Sequence, residues 1–309
     1  MPEKPHLIYV ASIGRSGSTL MESMLGAHPE IATMGELHCW PHEVRQGGVR
    51  PCSCGAPVTA CPFWSEVRRR VDPLRTLGPG LDFFREAHNA GRTLRLRRLL
   101  GFGSRPPLAE CDDVFVYGRN TRDVVAAFRD VHEEQLGTRP KWVVDASKDP
   151  YRLLWLVRSG LFDVTVLHVV KNPRGFVFSV TRPLLDQPVR RLVAAARQSA
   201  AWVVQNRLVS SVARRHLPPE KYLLVRYEAF AERPAETFAE ICACVGCAYD
   251  EGAVERFREG SVHTIAGNPM RYETRPIALD ERWKTHLPAS SRRVAELVTA
   301  STRTRYGYA

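Results

Sequence analysis

Residues 7–28 read LIYVASIGRSGSTLMESMLGAH. An apolar run ends at Gly14, a short polar loop follows over Arg15-Ser16-Gly17-Ser18-Thr19, and Leu20, Met21, Met24 and Leu25 then recur at helical spacing. The pattern predicts strand, tight loop, helix. Gly17 lets the loop backbone come close to a ligand. The N–H groups of the first helical turn lack carbonyl partners, and with the helix dipole they form an anion site suited to phosphate-like groups. Arg15 adds a fixed positive charge, and Ser18 and Thr19 add hydroxyls. The loop is not a Walker A sequence, G-x-x-x-x-G-K-[ST], because its cation precedes the inner glycine. Taken alone, it is equally readable as a Gly/Ser turn.

Outward from this stretch, the rest of the 309-residue chain alternates strands and helices. Ile31–Glu36 reads as a short strand or turn, and His38–Gly55, rich in Gly, Pro and Cys, as loop. Short and long basic helices are expected at Trp64–Val71 and Leu81–Leu100, the second carrying Arg85, Arg92, Arg95, Arg97 and Arg98. A solvated face is the preferred reading of that basic stripe, with a membrane or acidic-partner surface as the alternative. Gly101–Pro107 reads as a loop and Asn120–Gly137 as a helix. Trp142–Asp145 is a short buried-type strand, Pro150–Ser159 a helix closed by Gly160, and Val164–Val170 the most β-like run. A helix to about Thr181, a long one over Val189–His216, a strand at Tyr222–Tyr227, and helices at Ala235–Val245 and Ser290–Thr299 complete the pattern. Such alternation predicts an α/β fold with a parallel sheet and helices on both faces. Ligands then sit at the carboxyl ends of the strands. The motifs at Gly14, Asp145 and Lys171 all fall just past strand ends.

The net charge of +11 is compatible with nucleic acid, an anionic membrane or an anionic small ligand, and does not choose among them. There is no run of about eighteen apolar residues, so no membrane span is expected. The first strand begins within a few residues of Met1, leaving no room for a signal peptide, and a cytoplasmic location with eight reduced cysteines is expected. Cys52-x-Cys54 followed by Cys61, with His38 and Cys39 upstream, could hold zinc given a fourth ligand. The C-x-C spacing departs from the usual C-x-x-C, and reduced loop cysteines are the preferred reading. Cys242, Cys244 and Cys247 are expected on one helix but not on one face.

Four segments together resemble a known family. Arg15-Ser16-Gly17-Ser18-Thr19-Leu20-Met21, with Ala27-His28-Pro29 and Gly35-Glu36, resembles the 5′-phosphosulfate loop of sulfotransferases that use 3′-phosphoadenosine-5′-phosphosulfate (PAPS). It is most similar to tyrosylprotein sulfotransferases and their bacterial relatives. Lys171-Asn172-Pro173-Arg174, with Ser179 eight positions after Lys171, resembles the family's 3′-phosphate motif. Arg is usual at that first position, and Lys is a point charge rather than a bidentate fork. Arg226-Tyr227-Glu228 resembles a segment whose Tyr lies near the adenine. Gly267–Arg271, Arg275-Pro276 and Arg282-Trp283-Lys284 resemble a C-terminal loop that closes on PAPS.

The resemblance implies one P-loop-like α/β domain over residues 1–309, with a less constrained acceptor-side insertion at about 39–140. It implies sulfuryl transfer from PAPS to a hydroxyl group of a small-molecule, glycan or lipid acceptor, with no metal required and no nucleic-acid partner. Arg15, Ser16, Gly17, Ser18 and Thr19 would hold the phosphosulfate. Lys171, Arg174, Ser179, Arg271 and Arg275 would serve the 3′-phosphate, and Tyr227 the adenine. Glu36 would be the base, with Lys148 and Arg15 stabilising the bridging oxygen. The histidine base of cytosolic sulfotransferases finds no matching motif. The rivals are a P-loop-type nucleotide-dependent kinase and a basic nucleic-acid- or membrane-binding protein.

Overall fold

The computed structural model of the chain describes residues 4–47, 50–71, 111–259, 263–265, 267 and 277–309. The helix expected at Leu81–Leu100 and the loop at Gly101–Pro107 lie outside these residues. Five strands form one parallel sheet: β1 (His6–Ser12), β2 (Ile31–Thr33), β3 (Trp142–Lys148), β4 (Asp163–Val170) and β5 (Tyr222–Arg226), in the order β2-β3-β1-β4-β5. The order leaves β1 between β3 and β4, so crossovers run to both sides of it. Its carboxyl end is therefore the switch point at which an open α/β sheet forms its ligand crevice.

Strand side chains alternate between two cores. Leu7, Tyr9, Ala11, Val143, Val164 and Val166 face one core, and Ile8, Val10, Val144, Ala146, Leu167 and Val169 face the other. Both faces are apolar because helices cover both, which is why these strands read as continuous apolar runs. Helices α1 (Ser18–Gly26) and α9 (Pro234–Val245) cover the second face. The first face is packed by α3 (Pro62–Arg70), α4 (Cys111–Leu136), α5 (Pro150–Ser159) and α7 (Pro188–His216). Helix α6 (Pro173–Thr181) follows β4 and packs with the C-terminal α12 (Ala289–Arg303). Short helices α8 (Tyr227–Glu232), α10 (Glu251–Arg256) and α11 (Trp283–His286) lie between these elements. Among the described residues no helix is long and apolar enough to cross a membrane.

The structure departs from the sequence reading in four places. His38–Gly55 is not all loop: a 3₁₀ turn at Leu37–Cys39 leads into α2 (Trp40–Gln46). Pro41 stands in the first turn of α2, left-handed Gly47 ends it, and buried Trp40 packs on Trp64 at 5.2 Å between ring centroids. Helix α4 begins at Cys111 rather than Asn120, because Val114 and Tyr117 already bury against the core. Strand β3 runs on to Lys148 rather than Asp145, since its pairing with β1 resumes after a register shift. Cys247 lies beyond α9, which ends at left-handed Gly246.

Candidate active site

The loop after β1 is shaped by two left-handed residues, Arg15 at φ 73° and Gly17 at φ 91°. For Arg15 that conformation is strained. Gly17 starts α1, and its carbonyl accepts the first intrahelical bond from Met21 at 3.2 Å. A Cβ at Gly17 would lie 2.3 Å from the ring of Tyr227, so the glycine is required by close packing as well as by φ. Ser16, Ser18 and Thr19 are buried beneath the loop, while Arg15 stays exposed. Among the described residues, the buried hydroxyls of Ser12 and Ser16 have no hydrogen-bond partner. Unpartnered polar atoms beneath a helix N-terminus fit a loop that takes an anion.

Tyr227 connects this loop to the end of β4. The Lys171 ammonium sits 4.3 Å from the Tyr227 ring centroid, and Lys171 is only 7% exposed. Burial lowers the Lys171 pKa; Glu228 and Asp280 pull it back up, and Arg15 and Arg282 add to the lowering. Arg15 Nε donates to Ser179 Oγ at 3.3 Å, joining the loop to α6. Gly17, Arg15, Lys171, Ser179 and Tyr227 are thus brought together. Arg174 belongs to a different set: its Nε donates to Glu296 at 2.7 Å and a terminal nitrogen to the Ala309 carbonyl at 2.9 Å. Arg271 and Arg275 lie outside the described residues.

On the other side of β1, Glu36 and Lys148 form an ion pair at 2.5 Å, with side chains 17% and 16% exposed. Glu36 stands at the N-cap of the 3₁₀ turn, but its carboxylate does not cap it. The backbone there is pinned from both sides. Ala146 N donates to Gly35 O at 2.9 Å, and Glu36 N donates to Ile265 O at 2.9 Å. Gly35, at φ 76°, is the residue that fits, because a Cβ would meet the Ile265 carbonyl at 2.3 Å.

Lys148 is delivered by an irregularity. Tyr9 pairs with Asp145 but Ala11 with Lys148, so β3 holds one extra residue, a bulge of the kind that re-aims a side chain. Lys148 itself is left-handed at φ 66°. Gln205 on α7 donates its amide to Lys148 O at 3.0 Å and Ser12 O at 3.3 Å, holding the ends of β3 and β1 together. Asp149 caps α5 by accepting from Tyr151 N at 2.7 Å and Arg152 N at 3.3 Å. Asp145, fully buried, accepts from Arg152 Nε at 2.7 Å and from Ser147 N at 3.0 Å.

Comparison with solved structures gives the same outline. The sulfotransferase domain of the Synechococcus PCC 7002 olefin synthase superposes with a TM-score of 0.53 at 21% identity, over 96% of each chain. The chain has the sulfotransferase fold. The sulfotransferase domain of the curacin biosynthetic pathway gives 0.50 at 19% identity, over 96% of this chain and 98% of that one. A Mycobacterium avium sulfotransferase gives 0.53 at 13%, over 99% and 78%. No protein-family model matches the chain, and no curated protein matches its sequence.

On this sulfotransferase fold, several positioning residues had escaped the sequence reading. Gln205 gave no signal because a lone Gln in a long helix has none. Glu228 anchors the Lys171 turn by accepting from Asn172 N at 2.9 Å. Asp280 faces Lys171 and is held at a pKa of about 2, chiefly by its hydrogen bond from Arg282. His38 and Cys39, read upstream of the cysteine cluster, group with Glu36 instead.

Proposed function

We propose that this protein transfers the sulfuryl group of PAPS to a hydroxyl acceptor. The observation that carries the proposal is the continuity of two stations across the end of β1. One is an anion pocket of Gly17, Arg15, Ser179, Lys171 and Tyr227. The other is the Glu36–Lys148 pair, tied to β1 through Gln205. Two separate cationic groups suit a nucleotide with phosphate at both ends, Arg15 and the loop amides at the 5′ side and Lys171 with Ser179 at the 3′ side. The aromatic face of Tyr227 suits a purine.

The chemistry then follows from charge. Glu36 accepts the proton of the acceptor hydroxyl. The acceptor oxygen bonds to sulfur as the bond from sulfur to the 5′-phosphate oxygen breaks, and the electron pair leaves with that phosphate. Lys148 has three donors and spends one on Glu36, leaving others for the departing oxygen beside Arg15. Kinase chemistry fits less well. The loop lacks the Walker lysine, and Asp145, the acid within β3, is locked to buried Arg152.

The test combines binding and turnover. 3′,5′-Bisphosphoadenosine should bind more tightly than ATP or AMP by calorimetry, and Mg-dependent ATP binding of equal strength would return the kinase reading. Glu36→Gln should bind bisphosphoadenosine like the parent and lose about 10²–10⁴-fold in turnover. His38→Ala and His42→Ala are the controls. Near-parental turnover in Glu36→Gln, with a loss in either histidine variant, would assign the base to histidine.

A further inference from the structure

Cys52, Cys54, Cys61 and His263 bring four ligand atoms within 4.8 Å of one another. Cys54 Sγ lies 3.7 Å from Cys61 Sγ, and His263 Nδ1 lies 3.3 Å from Cys61 Sγ and 3.7 Å from Cys52 Sγ. A tetrahedral ion with sulfur at about 2.3 Å and nitrogen at about 2.0–2.1 Å spaces neighbouring ligands about 3.5–3.8 Å apart. Pairwise thiol hydrogen bonds account for single contacts, but not for four donors converging from segments 202 residues apart. None of the described cysteines is in a disulfide.

The cluster is built rather than accidental. Cys52 N donates to Ala56 O at 2.8 Å and Gly55 N to Cys52 O at 2.9 Å, closing a tight turn that carries Cys52 and Cys54. Gly55, at φ 90°, makes that turn possible. The His263 ring stacks on Phe63 with centroids 4.8 Å apart, and the His263 carbonyl accepts from Trp64 Nε1 at 2.8 Å. Such outer contacts fix the orientation of a ligating imidazole. Ser53 N donates to Thr264 O at 3.1 Å, and Thr264 N returns a bond to Ser53 Oγ at 2.9 Å.

We propose that Cys52, Cys54, Cys61 and His263 Nδ1 hold a structural zinc ion. All four positions are filled by protein, so the ion is a clasp and not a catalyst. Binding releases thiol protons to solvent and involves no redox step. The clasp joins the 52–61 loop to the segment 263–265. Two residues past His263, Ile265 carries the backbone that holds Glu36 and packs on Gly35. The ion thereby sets one wall of the Glu36 station.

Full-length protein from zinc-supplemented cells, purified without chelator, should carry about one zinc per chain, released when a mercurial titrates the thiols. Cys54→Ser, at the exposed ligand, and His263→Gln should each weaken zinc retention against a chelator at least tenfold, whereas Cys244→Ser should retain it. Reconstitution of stripped protein with Co²⁺ should give thiolate charge-transfer absorption and intense tetrahedral d–d bands. If the variants do not fold, the cobalt spectrum of the parent decides. Three results would each overturn the site. One is metal-free protein that gives no thiolate–cobalt band. Another is zinc retained equally in Cys54→Ser and His263→Gln. The third is a disulfide among the three cysteines in protein kept from oxidants. None of these readouts depends on sulfuryl transfer, so the clasp and the proposed activity stand or fall separately.

Discussion

At the scale of single residues, the proposed site turns on a buried lysine, at the position where the motif it resembles usually carries arginine. Lys171 lies on Tyr227 with little water to support its charge, and burial is the largest influence lowering its pKa. A phosphate is drawn only by the charged form. The lysine therefore surrenders its proton at a lower pH than an exposed one, and donor affinity should fall as pH rises through that point. Arginine stays charged throughout. Calorimetry with bisphosphoadenosine from about pH 7 to about pH 10 should show this alkaline fall in the parent and its removal in Lys171→Arg. Parallel profiles for the two proteins would mean that Lys171 does not touch the phosphate. At pH 7, Lys171→Ala should cost about 1.5–3 kcal/mol of donor binding, the usual size of a charge-assisted contact.

At the scale of elements, β4 is held to its neighbours by a polar knot inside an apolar layer. His168 is fully buried, with Nδ1 2.8 Å from Tyr222 OH and Nε2 3.0 Å from Asn206 Oδ1. Asn206 gives its amide to Trp202 O at 2.8 Å, which leaves its oxygen as the acceptor. The imidazole is thus neutral, protonated on Nε2 and accepting at Nδ1. Burial pushes its pKa down to about 4. A depressed folded-state pKa gives stability that is present above the unfolded value near 6.5 and is lost as pH falls toward 4. The loss across that window is on the order of 3 kcal/mol. Urea denaturation at pH 7, 5.5 and 4 should show a steeper acid decline in the parent than in His168→Leu, although the variant starts lower at pH 7. Equal slopes would place the acid sensitivity elsewhere.

At the scale of the whole molecule, the sheet order assembles the site from distant segments. Strands β3 and β4 flank β1, so the ends carrying Lys148, the Arg15 loop and Lys171 stand side by side. Helix α7 crosses beneath them, and Gln205 clamps the carbonyls of Ser12 and Lys148. Gln205→Leu keeps the helix and its packing but leaves two carbonyls without their donor. It should cost about 1–3 kcal/mol of stability. It should also reduce turnover by up to about 10²-fold through misplacement of Lys148, with bisphosphoadenosine affinity close to parental. Loss of donor affinity equal to the loss of turnover would show that the clamp serves the loop instead.

What the sequence alone determined was local. Apolar runs marked four of the five strands, with Ile31–Glu36 left open as a strand or a turn, and the loop at Arg15–Thr19 was legible because a strand, a tight turn and a helix follow one another without interruption. Parallel pairing and the placement of motifs past strand ends also followed, since βαβ connections leave few other arrangements. Only the tertiary structure decided the rest. The bulge that aims Lys148 arises from pairing with β1, not from any residue preference in Asp145–Lys148. The Glu36–Lys148 pair joins positions 112 residues apart, and Arg174 turned to Glu296 because α12 packs on α6. The fourth member of the cysteine cluster was out of reach for the same reason. His38 and Cys39 were near in sequence, but His263 is near in space, brought there by a backbone bridge between Cys52 and Ile265 that no periodicity announces.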